Sequence, residues 1–187
     1  YISELHIKNG FFDGNRSSFI YNPIEPLRFE DKKSSTLRVG FIGRLTTDKG
    51  FDEYCLLADK YKNRSDVKFY AAGRFNGNEA DSMKALAEKS NVELLGFIAI
   101  EEFMANVDAV ILPTKWNEPF GRSVAECALS GKVVYTNFMG GISEIATMNS
   151  NVKPLSSFRV EDAHANKENN AQDSFDIDYI VKQYVEV

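Results

Sequence analysis

Two carboxylates, Glu118 and Glu126, bracket seven residues in the stretch Glu118-Pro119-Phe120-Gly121-Arg122-Ser123-Val124-Ala125-Glu126. A carboxylate only accepts hydrogen bonds, so a pair of them suits a ligand rich in hydroxyls. The Pro119-Phe120-Gly121 turn leads into a helical apolar pattern. A helix start offers unpaired backbone N–H groups and the positive end of a dipole, which favour an anion or a polar sugar. An apolar run at 108–112 precedes the turn and reads as a buried strand. Glu118 thus falls at the carboxyl end of a strand, and Glu126, about two helical turns further on, can face the same crevice. Arg44 and Lys49 occupy another loop, after the apolar run at 37–42. Arginine supplies a planar fork and lysine a compact charge, and together they can neutralise a pyrophosphate. Each residue also has an ordinary reading. Lys49 can pair with Asp48 or Asp52, Glu126 can be a helix-surface acid, and Glu118 can support the next helix through its dipole, worth ~0.5–1 kcal/mol.

These loops need a scaffold that gathers them at one edge, and the hydropathy pattern supplies one. Strand-like runs at 37–42, 67–72, 92–95, 108–112 and 132–136 alternate with helical patterns at 51–61, 79–89, 100–104, 122–129 and 142–146. Such alternation means βαβ units, a parallel sheet and right-handed crossovers. Runs such as Val39-Gly40-Phe41-Ile42 fit strands buried on both faces. The expected fold is α/β, a Rossmann-like doubly wound parallel sheet, whose ligands bind at the carboxyl ends of the strands near the topological switch point. Residues 1–36 read as an irregular connector with a short strand at 18–21. The domain proper spans 37–158, a polar and mobile segment 159–174, and a final helix 175–187.

Composition narrows the function. The chain of 187 residues carries a net charge of −5, which argues against nucleic acid as a partner. No apolar run reaches the ~20 residues of a membrane span. Its two cysteines, Cys55 and Cys127, lack metal-type spacing and fall in amphipathic patterns, the behaviour of buried reduced thiols in a cytoplasmic protein. Asp176-Ile177-Asp178 has the spelling of a metal signature but opens the terminal helix, where acids cap, so no metal ligands are expected. Neither Gly-x-Gly-x-x-Gly nor the phosphate-binding Gly-x4-Gly-Lys-Ser/Thr is present.

Four motifs, in order, resemble those of the retaining GT-B glycosyltransferases of family 4, the glycosyl transferases group 1. They are Asn22-Pro23-Ile24, where the chain enters the second domain; Gly43-Arg44-Leu45 with Lys49-Gly50; Glu118 to Glu126; and Gly140-Gly141-Ile142-Ser143-Glu144. The resemblance covers roughly residues 18–158. One departure is Val133, where the family commonly has a proline. The resemblance implies the second, donor-binding domain of a GT-B fold, with an acceptor-binding N-terminal domain missing from a piece of a longer protein. It implies transfer of a sugar from a nucleoside diphosphate sugar, without cofactor or metal, to an unidentified acceptor. Any peripheral membrane contact would be left to the missing domain. Among site residues, it implies that Arg44 and Lys49 meet the diphosphate, Glu118 the sugar hydroxyls and Glu126 the ribose. Gly43 and the Pro119, Phe120 and Gly121 backbone would lie against sugar and phosphate, and the loops with Arg74, Phe97 and Ile98 would meet the nucleobase. Arg74 reads equally as a surface arginine, and Glu144 as a plain helix acid. No histidine base lies in the crevice segments, so this chain alone is expected to bind donor without transferring sugar. The alternatives are a non-catalytic nucleotide-sugar-binding module and a GT-B sugar-nucleotide epimerase.

Overall fold

The structure is a computed structural model and describes residues 1–14, 21–24 and 27–165. Six parallel strands form one sheet in the order β3-β2-β1-β4-β5-β6. They are β1 (Leu37–Ile42), β2 (Val67–Ala72), β3 (Val92–Gly96), β4 (Ala109–Leu112), β5 (Val133–Thr136) and β6 (Val152–Pro154). The helices between and around them are α1 (Ile2–Lys8), α2 (Phe51–Tyr61), α3 (Ala80–Lys89), α4 (Ile100–Asn106), α5 (Arg122–Leu129), α6 (Ile142–Met148) and α7 (Val160–Ala165). The order reverses between β1 and β4, so the switch point and its crevice lie between those two strands.

Local sequence explains the layers. Phe51, Tyr54, Cys55 and Ala58 fall on one face of α2 and are buried. Adjacent residues of a strand point to opposite faces. In β1, Phe41 packs on Phe51 and Tyr54 of α2, with ring centroids 5.2 and 5.4 Å away. Gly40 faces α4 instead, where a Cβ would stand 2.5 Å from the Phe103 ring. Helices α2 and α4 therefore cover opposite faces. The Tyr54 hydroxyl donates to the carbonyls of Val39 and Tyr70 at 2.9 and 2.7 Å, tying α2 to β1 and β2. At the amino ends of the switch-point strands, the buried Arg38 forks onto Asp108 at 2.8 and 3.1 Å.

The five expected strands form, and Val133 opens β5 as a strand residue. Three expectations on organisation are corrected. Residues 1–36 are not wholly irregular, because 2–8 form α1, with Glu4 in its first turn and Lys8 in its last. A sixth strand, β6, extends the sheet because Val152 pairs with Val134. The segment after 158 does not begin as a polar, mobile stretch. It begins as α7, whose Val160 and Ala163 are buried, and Phe158 before it packs edge-on against Tyr61 and Tyr135. The strand expected at 18–21 falls almost wholly, and the helix at 175–187 wholly, outside the described residues.

Candidate functional site

Two loops meet at the switch point: 43–50 after β1 and 113–121 after β4. Each feeds a helix through a left-handed glycine, Gly50 (φ 77°) before α2 and Gly121 (φ 89°) before α5. A Cβ on Gly50 would stand 1.8 Å from the Pro113 carbonyl oxygen, so only glycine permits the loops to touch there. A third loop holds the second in place. Gly141 N–H donates to the Glu118 carbonyl at 2.8 Å, and a Cβ on Gly140 would lie 2.4 Å from that oxygen. The Gly140-Gly141 pair thus serves loop-to-loop packing beside Glu118.

The loops bring Lys49 and Glu118 together as an ion pair, with side chains 21% and 16% exposed. Both line a cavity of about 200 Å³, with Gly43, Gly121, Arg122 and Ser123 on its walls. Helix α5 carries no side-chain cap, and its Val124 N–H turns back to the Gly121 carbonyl at 3.0 Å, which leaves the N–H groups of Arg122 and Ser123 to meet an anion at this mouth. A second cavity of about 690 Å³ lies alongside, walled by Arg44, Arg74, Phe97, Ile98, Ile100 and Glu126. Gly43 and Ser123 border both. The Arg74 guanidinium sits 4.2 Å from the centre of the exposed Phe97 ring. Arg122 reaches Glu126 at 2.7 Å along one turn of α5 and so spans the two cavities.

Of the residues singled out from sequence, Gly43, Arg44, Lys49, Arg74, Phe97, Ile98, Glu118, Gly121 and Glu126 all line one cavity or the other. Pro119 and Phe120 line neither. Phe120 packs toward the core, 6.1 Å from the Tyr21 ring, and the Pro119 carbonyl faces Gly141. The ordinary pairing for Lys49 is replaced. Asp48 pairs with Arg44 at 2.9 Å, Asp52 pairs with Lys115 at 2.5 Å, and Lys49 takes Glu118. Burial pushes the Asp48 carboxyl up, but the Thr46 hydroxyl and the charges of Arg44 and Lys49 outweigh it and hold it below its usual range. Glu144, read as a plain helix acid, accepts a hydrogen bond from the Tyr21 hydroxyl at 2.9 Å and so fastens the connector to α6. Ser123 and Arg122 were not singled out. Their signal was position alone, the first turn of a helix whose start faces the crevice. Among the described residues no group of His, Cys, Asp or Glu is arranged to hold a metal ion.

The chain's relatives fit this architecture. The profile of the family "Glycosyl transferases group 1" matches residues 24–164. An uncharacterized 42.6 kDa protein in the cps region of Klebsiella pneumoniae is 41% identical over the whole of this chain and half of its own length. The uncharacterized glycosyltransferase MJ1607 of Methanocaldococcus jannaschii is 28% identical over 67% of this chain and 37% of its own. The chain thus spans half or less of the length of these relatives. Among solved structures, Anabaena Alr3699/HepE in complex with UDP and glucose matches 81% of this chain and 48% of its own with a TM-score of 0.64 and 25% identity. S. aureus TarM, in a complex containing UDP, matches 99% and 42% with a TM-score of 0.71; at 19% identity it speaks for the fold alone. The sheet order, the motif-bearing loops and the family match over 24–164 agree: this chain belongs to the glycosyl transferases group 1 and has the Rossmann-like fold of a GT-B glycosyltransferase domain.

Proposed function

We propose that this chain is the donor-binding domain of a retaining glycosyltransferase, one that takes a sugar from a nucleoside diphosphate sugar and passes it to an acceptor held by the other half of the enzyme. One observation carries this reading: Lys49 and Glu118 share a cavity at the start of α5, and Glu126, Arg44 and Arg74 line the adjoining one. A diphosphate at the junction faces Lys49, Arg44 and the first turn of α5. Its ribose reaches Glu126, its base reaches the Arg74, Phe97 and Ile98 wall, and its sugar reaches Glu118. In the reaction the bond from the sugar carbon to the phosphate oxygen breaks and negative charge gathers on the departing diphosphate. Lys49, Arg44 and the helix start oppose that charge in place of a metal ion. Glu118 holds sugar hydroxyls and fixes the reacting carbon against the acceptor. The complexes of HepE with UDP and with UDP-glucose favour a uridine diphosphate sugar. The setting is cytoplasmic, where such donors are made. This chain alone binds donor but does not transfer it, because the acceptor and the closing of a cleft come from the other half.

Calorimetry with UDP, GDP, ADP and dTDP, each with and without chelator, tests the reading. The expected outcome is binding of at least one that survives chelator, and Arg44→Ala should weaken a diphosphate more than its nucleoside. Failure of all four to bind, or loss of binding in chelator, would contradict it.

A further inference from the structure

Trp116 is the exposed aromatic of the loop after β4, and the chemistry above gives it no part. The residue is 42% exposed. The Nζ of Lys49 lies 4.7 Å from its ring centroid. The backbone, rather than the reach of a long side chain, creates this contact. Lys115 N–H donates to the Asp48 carbonyl at 3.0 Å, and the Thr114 hydroxyl reaches the same carbonyl at 3.4 Å. The Lys115 ammonium holds Asp52 at 2.5 Å. On the far side of Lys49, Gly50 presses on Pro113. With Asp48 and Gly50 both fixed against 113–115, the residues next in line, Lys49 and Trp116, stand side by side.

We propose that Trp116 is a positioning residue for Lys49, a face on which the ammonium rests so that it stays at the cavity mouth beside Glu118. The inference rests on the reading in which Lys49 meets the diphosphate. Lysine is a point charge on a flexible four-carbon stem, and left alone it samples many partners. The neighbouring carboxylates in sequence, Asp48 and Asp52, are already held by Arg44 and Lys115. Glu118 holds the ammonium on one side. An aromatic face adds a second restraint through its quadrupole and brings no opposing charge, and tryptophan does so best. An ammonium has three donors. With Glu118 taking one, Lys49 can still donate to a phosphate without leaving its place.

The test is calorimetry on the 187-residue chain with whichever of UDP, GDP, ADP and dTDP it holds best, the matching nucleoside, and the matching sugar-bearing donor. Trp116→Ala should weaken the diphosphate and the donor alike by roughly two- to fivefold, the size of an exposed cation–π contact, and leave the nucleoside unchanged. Trp116→Phe should keep most of the affinity. In a Lys49→Met background, Trp116→Ala should have no further effect, since the partner is gone. An equal loss for the nucleoside, or an undiminished effect in the Lys49→Met background, would overturn the inference. So would a loss confined to the sugar-bearing donor, which would make the ring a sugar platform. If the unmodified chain holds none of the four diphosphates, the reading beneath falls too; binding without Trp116–Lys49 coupling overturns this inference alone.

Discussion

Glu126 is paired with Arg122, whose own side chain is 70% exposed, so the pair contributes little to stability. A ribose would take over the carboxylate and gain charge-assisted hydrogen bonds. Glu126→Ala should therefore cost about 1.5–3 kcal/mol in affinity for a nucleoside diphosphate, with little change in melting temperature. The 2′-deoxy form should lose less. Calorimetry on both forms checks this, and equal losses would return Glu126 to a helix-surface role. At this scale the sequence showed which residues carry charge and in what spacing, so the cavity-lining set was largely legible. The pairing of Lys49 was not. Which carboxylate a lysine meets depends on the contact between loops 43–50 and 113–121, and a choice among Asp48, Asp52 and Glu118 cannot be read from sequence distance.

Elements place these residues through glycine contacts. Gly50 combines a left-handed φ with a Cβ position 1.8 Å from a backbone oxygen that cannot rotate away. Gly50→Ala should destabilise the domain by about 2 kcal/mol or more, of which ~1–2 kcal/mol is the left-handed conformation alone. It should also weaken diphosphate binding, because the loop bearing Lys49 must move off Pro113. Urea unfolding and calorimetry on one preparation read both effects; unchanged stability would mean that the loops are not locked there. The alternation of strands and helices was legible because β1, β4 and β5 are nearly unbroken runs of buried residues and α2, α3 and α5 each bury an apolar face. Strand β6 was not, because a three-residue run, Val152–Pro154, is too short to show a period and is recruited by its neighbour β5. Helix α7 was missed for a related reason: Val160 and Ala163 are buried while Glu161 and Asp162 between them are exposed, a pattern too short to show a period.

For the molecule as a whole, several titratable groups are buried in their neutral form. Burial, with a smaller push from Asp52, raises the Cys55 thiol from 9.0 to about 12. Burial also raises Cys127, and lifts Tyr54 well above 10.0. The folded chain therefore keeps protons that the unfolded chain gives up. Their stabilisation is complete below about pH 9 and is lost as the pH climbs from there toward 12. Ionising Tyr54 would also remove the donor that ties α2 to β1 and β2. Denaturant midpoints should fall between pH 8.5 and 10.5, and at pH 8 neither thiol should react with an aromatic disulfide until the chain unfolds. A flat profile, or a thiol that reacts in the folded chain, would mean that these groups meet solvent. No helix among the described residues is long and apolar enough to cross a membrane, and the chain spans half or less of its curated relatives. The chemistry proposed for this chain is confined to donor binding at its own crevice.

The most direct test of that chemistry is a crystal structure of the chain with the nucleoside diphosphate it binds best. The diphosphate should lie within hydrogen-bonding distance of Lys49 Nζ and the Arg122 and Ser123 N–H groups at the start of α5, and the ribose hydroxyls on Glu126. The base should lie along the wall of Arg74, Phe97 and Ile98. A diphosphate bound away from Lys49, or a ribose that leaves Glu126 paired only with Arg122, would contradict it.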